Sequence, residues 1–315
     1  MGERITFGGY QGEKSVHTRG ARAFEAALTR LTDGGVTVDF RQNIVDDGHK
    51  ASDLLDMTER GDLDGCYFSS SYLAGRVPEL ALFDQHFAVP TRAHAYGVLD
   101  GFLGQRLAQE VAAKTGYVVM NYWDNGLRHI STADTPLNTP ANCKDLKLRT
   151  LASDDHQRVF RALGFDPMAI DVRDLPDAVK SGVVDAQENP LTNIYNFDLH
   201  KTHRTITLTG HLLGVALVLF NAKTFAGWSA KTRDAVTAAM VEATQTQRQL
   251  AQDDDAICTD AMINDGVTFV ELSPKERATL AAATHREVAA TRARFSTDLI
   301  ALFENDLANV SEAHL

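Results

Sequence analysis

This chain of 315 residues has little cysteine, no long apolar run and no excess of basic residues. The three cysteines are too widely spaced for a zinc pattern, and their odd number leaves at least one unpaired. We expect all three to be plain thiols, buried or half-buried. The longest apolar run, residues 212–220, is about half of what a membrane helix needs. A net charge of −11 lacks the basic face that nucleic acids require, so we expect no nucleic-acid partner. The cysteines are Cys66, Cys143 and Cys258.

Motifs that usually carry catalysis or bind metals are also missing from the sequence. There is no HExxH, CxxC or G-x-S-x-G, and His200 and His203 lie in a charged connector that a solvated turn explains better than a metal site. Residues 12–15 resemble a phosphate loop but lack its spacing. We therefore expect no metal, no cofactor and no enzymatic activity. His211 stays open: it satisfies a buried polar group, reaches a ligand through water, or acts as a general base.

What the chain does have is an ordinary globular composition and a doubly wound opening. Hydrophobic residues make up 44% and charged residues 23%, and this length usually corresponds to two domains. Alternation predicts strands over residues 4–8 and 36–40, and apolar residues at helical spacing predict a helix over residues 15–31. The β-loop-α-β order indicates an α/β protein.

One stretch, residues 145–193, combines strand ends with side chains suited to a small anion. Alternation predicts a strand over residues 147–150, and Ser153 is a suitable N-cap for a helix over residues 153–163. Arg149 then lies at the C-terminal end of a strand, where ligands bind in open α/β sheets. Its planar guanidinium matches the two oxygens of a carboxylate and stays charged.

Other predicted strand ends supply more polar groups. A helix over residues 174–181 is followed by a strand over residues 183–185, and Asn189 comes shortly after it. Asp171 ends another predicted strand, where its carboxylate can accept hydrogen bonds from a hydroxylated ligand. A strand over residues 66–68 ends in hydroxyl-bearing residues that either cap the next turn or bind a ligand. These hydroxyl-bearing residues are Ser69, Ser70 and Tyr72.

The rest of the pattern predicts longer elements. Trp123 lies at the end of an apolar strand, where it either lines a pocket or packs against a hinge. A segment of 36 residues without glycine or proline indicates a helix far longer than the globular mean. We expect a helix over residues 92–115, a strand over residues 117–123 ended by the turn signal Asp124-Asn125-Gly126, strands over residues 205–209 and 215–221, that long helix over residues 230–265, and a final helix from the capping box at Ser273 to about residue 304.

Three motifs in this order resemble the solute-binding proteins, or P-subunits, of TRAP transporters. They are KLRT at residues 147–150, LGFDPM at residues 163–168 and VDAQENPL at residues 184–191. The resemblance extends over nearly the whole chain, and it implies that Arg149 forms a salt bridge to a substrate carboxylate. It also implies that Arg128, in the segment NGLR, faces the anion and that Asn189 contacts the ligand.

The resemblance further implies an α/β, two-lobed periplasmic-binding-protein-like fold. Each lobe would be a mixed sheet flanked by helices, with the long helix spanning both lobes. We expect lobe I to contain residues 1–123 and about 211–250, and lobe II to contain residues 124–210 and about 251–305. The ligand cleft would lie between the lobes.

The function implied is capture of a small organic acid, followed by hinge closure and delivery to integral membrane TRAP subunits. The protein would be a periplasmic monomer whose signal peptide has been removed. Arg149, Arg128 and Asn189 would hold the carboxylate, and lobe I would contact the other end of the acid. Two alternatives stay open, a receptor module that senses a ligand with the same fold and an α/β enzyme.

Overall fold

The computed structural model describes residues 3–310. Its internal contacts divide the chain into two compact units, each assembled from three segments. Unit 1 consists of Met1–Ser70, Ala108–Asn125 and Val215–Asp254, and unit 2 consists of Ser71–Leu107, Gly126–Gly214 and Asp255–Leu315.

Strands and helices alternate along most of the chain, as expected for an α/β protein. The strands are β1 (Glu3–Gly8), β2 (Val36–Arg41), β3 (Gly65–Ser69), β4 (Tyr117–Thr132), β5 (Lys147–Thr150), β6 (Asp166–Ala169), β7 (Ala186–Pro190), β8 (Thr205–Asn221) and β9 (Thr268–Glu271). The helices are α1 (Val16–Leu31), α2 (Asp53–Arg60), α3 (Arg92–Asp100), α4 (Phe102–Lys114), α5 (Pro140–Cys143), α6 (Asp154–Ala162), α7 (Leu175–Lys180), α8 (Leu191–Asn196), α9 (Ala222–Gly227), α10 (Ala230–Asn264), α11 (Pro274–Arg292) and α12 (Thr297–Ala308).

Unit 1 is built on a mixed sheet. Strand β1 is parallel to both β2 and β3, and β3 is antiparallel to the C-terminal part of β8. The core is aromatic: the ring of Phe7 lies 5.7 Å from that of Phe24 on α1 and 5.8 Å from that of Phe220 on β8. Burying rings of this size supplies much of the hydrophobic stabilisation of such a layer. The helix α1 begins after Ser15, whose side chain accepts from the backbone N–H of His17.

Unit 2 also has both parallel and antiparallel strand pairs. The C-terminal part of β4 is antiparallel to β7, and β5 is parallel to both β7 and β6. Leu148 of β5 and Phe160 of α6 are fully buried in one hydrophobic cluster, and Ile206 and Met262 lie in a second. The predicted N-cap of α6 is confirmed, because the Ser153 side chain accepts from the backbone N–H of His156.

The longest predicted helix is confirmed, and several predicted interruptions are wrong. The helix α10 has 35 residues, and α11 begins with the capping box at Ser273. The turn expected at Asp124-Asn125-Gly126 is instead part of β4, and the two strands expected over residues 205–221 form the single strand β8. Strand β8 continues because β9 pairs with its first part and β3 with its last part, and β4 pairs with β7 directly after the expected turn.

Other predicted elements are displaced or divided. The helix expected over residues 92–115 is divided at Gly101 into α3 and α4, and the final helix is divided into α11 and α12. The strand expected over residues 183–185 begins three residues later, as β7, because the preceding chain forms a turn with Gly182 at φ +71°. No helix within residues 3–310 combines the length and apolarity that a membrane crossing requires.

The contacts group one segment differently from the predicted lobes. Ser71–Leu107 belongs to unit 2, whereas the sequence places residues 71–107 in lobe I. The segment packs on other parts of unit 2: Phe87 donates its backbone N–H to the carbonyl of His211 at 2.7 Å, and Asp306 accepts from the N–H of Leu103 at 2.7 Å. The remaining boundaries stay predictions.

Candidate ligand-binding site

Arg149, the cation singled out by the sequence, is buried at the end of β5. Only 1% of its surface is exposed, and its Nε donates to the carbonyl oxygen of Ile170 at 2.8 Å. Among residues 3–310 the guanidinium forms no ion pair with a carboxylate. Burial lowers the pKa of Arg149, and the nearby Tyr72 and Glu188 oppose this shift. A buried cation that lacks a charged partner is costly, so this position is prepared to receive an anion.

Arg128 is also buried, but it has a partner. Its Nε and Nη2 both bond to the carboxylate of Glu188, with the Nη2–Oε1 distance at 2.8 Å, and Nη2 also donates to the Glu188 carbonyl at 2.8 Å. This is the bidentate geometry for which the guanidinium fork is suited. The charge of Arg128 is thus largely compensated within unit 2, and Arg149 is left as the cation available to an anion.

Glu188 is ionised in this environment. Burial by itself would raise the pKa of Glu188, but the charge of Arg128 and the hydrogen bonds from Arg128 outweigh burial and hold this pKa well below its usual range. Thr150, which follows Arg149 on β5, places its hydroxyl 3.5 Å from Glu188 Oε1. The Glu188 carboxylate therefore contacts both Arg128 on β4 and Thr150 on β5.

Asn189 lies at the end of β7 in a network of amides. Its Nδ2 donates to Gln187 Oε1 at 2.6 Å, and its Oδ1 accepts from Asn193 Nδ2 and Arg128 Nη2, both at 3.4 Å. Gln187 in turn donates to Ser131 Oγ at 2.6 Å. These bonds fix the amide orientation, so one N–H of Asn189 can point outward without rearrangement.

His211 is buried on β8 beside the same carboxylate. Its Nε2 lies 3.5 Å from Glu188 Oε2, and its Nδ1 shares a hydrogen bond of 2.7 Å with Thr209 Oγ1. Burial lowers the pKa of His211, against the raising effect of Glu188, so the ring is neutral near pH 7. The two ring nitrogens thus face Glu188 and Thr209, which fits the first interpretation of His211, that it satisfies buried polar groups.

Tyr72 and Asp171 lie near Arg149 in unit 2. Burial raises the pKa of Tyr72, and the charge of Arg149 opposes that increase. The phenol is therefore neutral and polar. Asp171 accepts from the backbone N–H of Arg173 at 3.0 Å, and its charge raises the pKa of Arg149. Both side chains are thus close enough to influence the buried cation.

The other predicted contacts belong to unit 1. Ser69 pairs with Ala216 in the sheet, and Ser70 is fully buried with no hydrogen-bond partner for its hydroxyl within the described chain. Trp123 has no exposed surface, donates from Nε1 to Thr244 Oγ1 at 3.0 Å and packs 5.5 Å from the ring of Tyr67. Packing accounts for Trp123 without a ligand.

The sequence did not predict the role of Glu188 or the buried position of His86 and His156. Glu188 directly precedes the predicted ligand contact Asn189, and an ionisable residue that is buried there needs a charged partner. No short motif marks the two histidines, which are separated by 70 positions along the chain. Over residues 3–310 no group of histidine, cysteine and acidic side chains is arranged to hold a metal ion.

Taken together, an α/β fold with a buried, uncompensated guanidinium at a strand end is that of a substrate-binding protein for small anions. The model of the family described as bacterial extracellular solute-binding protein, family 7, matches residues 7–294, and the chain belongs to this family. The chain spans 53% to 67% of the length of the first curated relatives it matches.

One such relative is the 2,3-diketo-L-gulonate-binding periplasmic protein YiaO of Escherichia coli (strain K12), which is 29% identical over 220 residues, 70% of this chain and 67% of the relative. The fold is similar to that of the sugar acid binding protein DctPAm of Advenella mimigardefordensis strain DPN7T in complex with galactonate, with a TM-score of 0.93, 24% identity and coverage of 98% and 99% of the two chains. A TRAP periplasmic solute binding protein of Sulfurospirillum deleyianum DSM 6946 with bound succinate has a TM-score of 0.89, 27% identity and coverage of 99% and 100%. The family and these neighbours are substrate-binding proteins rather than enzymes.

Proposed function

We propose that this protein is the extracytoplasmic solute-binding component of a TRAP transporter and that it captures a small organic acid through Arg149. The observation that carries the proposal is the contrast between the two buried arginines. Arg128 is neutralised by Glu188, whereas Arg149 is buried without a carboxylate. An incoming carboxylate would supply the missing charge and accept a charge-assisted hydrogen bond from the guanidinium.

The relatives support a carboxylate as the common feature of the ligand. Diketogulonate, galactonate and succinate, named for three of them, differ in length and in hydroxylation but all carry a carboxylate. A cation held in a fixed place is the simplest recognition element for such a set. In this proposal Asn189, Tyr72, Asp171 and His211 add polar contacts from unit 2, while Ser69, Ser70 and Trp123 stay predictions from the sequence.

The location and partners follow from the same proposal. The family is extracytoplasmic, and we infer a periplasmic location for this chain. The captured acid would be passed to integral membrane TRAP subunits, and we expect the binding protein itself to be a monomer. The alternative of an α/β enzyme predicts chemical change in a bound acid, so recovery of the acid unchanged after long incubation would argue against it.

Isothermal titration with galactonate, gluconate, glucuronate and succinate tests the proposal. For the acid that binds, we expect Arg149→Ala to weaken affinity by about 30-fold or more, since a hydrogen bond to a charged group contributes about 2 kcal/mol. Arg161→Ala removes an exposed arginine that donates to Gln157 on its own helix, and it should leave affinity unchanged. Equal affinity of Arg149→Ala and the parent would show that Arg149 does not hold the carboxylate.

A further inference from the structure

Unit 2 contains a cluster of buried imidazoles next to the Arg128–Glu188 pair. The ring of His86 is stacked on that of His211 at 5.2 Å and 9°, and it meets the ring of His156 edge-on at 5.0 Å and 73°. All three side chains are at most 3% exposed. Asp84 lies at the far end, with Oδ2 3.3 Å from His156 Nε2. We call Asp84, His86, His156 and His211 the imidazole cluster.

Most polar side-chain atoms of the imidazole cluster have no hydrogen-bond partner in the described chain. They are both ring nitrogens of His86, both ring nitrogens of His156, Nε2 of His211 and Oδ2 of Asp84. His156 Nε2 and Asp84 Oδ2 are near each other but are not aligned as a hydrogen bond. An unpartnered buried polar atom costs about 1–3 kcal/mol, so a polar group that bonded to one of these atoms would be stabilised there. The cluster is therefore suited to bind polar groups from outside the protein.

The chemistry of the imidazole cluster favours hydroxyl groups. Burial lowers the pKa of His86 well below its usual value and also lowers that of His211, so these rings are neutral near pH 7. A neutral imidazole presents one N–H donor and one acceptor nitrogen. A hydroxyl both donates and accepts, so it can satisfy either nitrogen. Asp84, which accepts from Ser71 Oγ at 2.9 Å, offers a further acceptor.

A second carboxylate on the ligand would bind unfavourably at the imidazole cluster. It would face the carboxylates of Asp84 and Glu188, and the nearest guanidinium, that of Arg128, is already bound by Glu188. Uncompensated negative charge in a buried site costs far more than a neutral polar group. Of the two buried arginines beside Glu188, Arg149 is the one without a carboxylate partner in the described chain. The charges of the site therefore match one carboxylate and a neutral polar remainder.

The imidazole cluster and Arg149 both lie close to the Arg128–Glu188 pair. Glu188 lies 3.5 Å from His211 Nε2, and its charge acts on both His86 and Arg149. The charge of Arg149 acts on the pKa of Tyr72. Tyr72 directly follows Ser71, whose hydroxyl donates to Asp84. Groups attached to a carboxylate held by Arg149 would thus be directed along Glu188 toward the cluster.

We infer that the ligand is a monocarboxylic polyhydroxy acid, whose carboxylate is held by Arg149 and whose hydroxyls are hydrogen-bonded by the imidazole cluster. This inference rests on the proposed function. It assigns His86, His156 and Asp84 to the selection of the ligand, in addition to the predicted His211. It also separates two ligand classes, because a dicarboxylate would leave the unpartnered ring nitrogens unsatisfied.

The test compares gluconate and galactonate with hexanoate, which has the same carbon number as gluconate but no hydroxyls, and with succinate. In titrations of the parent protein we expect at least one hydroxy acid to bind at least tenfold more tightly than either hexanoate or succinate. His156→Phe keeps a ring of similar shape but removes both nitrogens. It should reduce the preference for the hydroxy acid over hexanoate by about tenfold, which is the loss of about one hydrogen bond.

Two further variants make the test decisive. Asp84→Asn retains the shape of the side chain and should also reduce the preference for the hydroxy acid, whereas His285→Phe, at an exposed position on α11, should leave it unchanged. Preference for succinate, or an unchanged preference in both His156→Phe and Asp84→Asn, would overturn the inference and indicate that only water occupies the cluster. Failure of every acid to bind, or indifference to Arg149→Ala, would instead overturn the proposed function.

Discussion

At the scale of single residues, the pairing of Arg128 with Glu188 determines the electrostatics of the site. Both side chains are at most 1% exposed and bond through two nitrogens of Arg128. The desolvation of both charges is offset by their mutual attraction and by these hydrogen bonds. Removing one partner therefore leaves a buried charge that nothing compensates.

We predict that Glu188→Gln destabilises the protein by about 3 kcal/mol, the usual cost of breaking a buried ion pair. Urea unfolding at pH 7 measures the change. Glu287→Gln provides the control, because Glu287 pairs with Arg158 at 3.1 Å with both side chains partly exposed, and such pairs contribute at most about 1 kcal/mol. Equal losses for the two variants would mean that the Arg128–Glu188 pair contributes no more than a surface pair.

The sequence was sufficient to locate Arg149 but not to distinguish the two arginines. Arg149 could be placed because a strand, an N-cap and a helix follow each other within a few residues. The pairing of Arg128 with Glu188 depends on the register between β4 and β7, which brings together residues 60 positions apart. A pattern read along the chain does not contain that register. The same limit applies to the imidazole cluster.

At the scale of elements, β4 depends on one glycine. Gly126 has a φ of +84°, and a Cβ there would lie 2.5 Å from Cβ of Pro190 on β7. The Asp-Asn-Gly sequence suggested a turn because it favours positive φ, yet the strand accommodates this conformation and continues. Local turn propensity is here overridden by the pairing of β4 with β7, which begins at Arg128.

We expect Gly126→Ala to cost about 2 kcal/mol through the left-handed backbone conformation and the contact with Pro190. Gly227→Ala is the matched control, because a Cβ at Gly227 would meet nothing within 4 Å and its φ is not in the positive region. The thermal unfolding midpoints of the two variants measure this difference in stability. A Gly126→Ala protein as stable as Gly227→Ala would show that this region of β4 adjusts without strain.

Helix starts that are marked by a capping residue were predictable from the sequence. Ser153 and Ser273 were identified as N-caps, and both accept the expected backbone N–H. Caps are local, so their signal lies within four residues of sequence. The extents of β7 and β8 depend on neighbouring strands that are distant in sequence: β7 was placed three residues too early, and β8 was predicted with the correct ends but with an interruption that it does not have.

At the scale of the whole molecule, buried histidines make stability depend on pH. Burial lowers the pKa of His17 to about 4, that of His129 to about 3 and that of His203 to about 4. In the unfolded chain these groups titrate near 6.5. Between pH 6.5 and about 4 the unfolded state therefore binds protons that the folded state does not, and this stabilises the unfolded state.

We predict that these histidines leave stability unchanged between about pH 7 and pH 8 and lower it as the pH decreases from 6.5, by about 1.4 kcal/mol per pH unit for each of them. Thermal midpoints measured from pH 7.5 to 4.5 would show the decrease. In His203→Gln, which removes one such group, the decrease should be shallower. An identical pH profile for parent and variant would show that His203 does not remain neutral in the folded protein.

The sequence predicts only part of the division of the chain into two units. The length and the doubly wound opening indicate an α/β protein of two parts, but the chain crosses repeatedly, and both β4 and β8 contribute residues to each unit. The assignment of Ser71–Leu107 to unit 2 depends on side-chain and backbone contacts far apart in sequence. Such contacts have no local signature.

The three cysteines have a practical consequence. All three are buried, as expected from the sequence, and none forms a disulfide within the described part of the chain; Cys66 lies in unit 1, and both Cys143 and Cys258 lie in unit 2. Burial raises the pKa of Cys66 and of Cys143 to about 12. Thiol reagents attack the thiolate, so the native protein should be inert to them. The rate at which each cysteine is alkylated, measured by mass spectrometry, would thus report how often its unit opens transiently, without any introduced label.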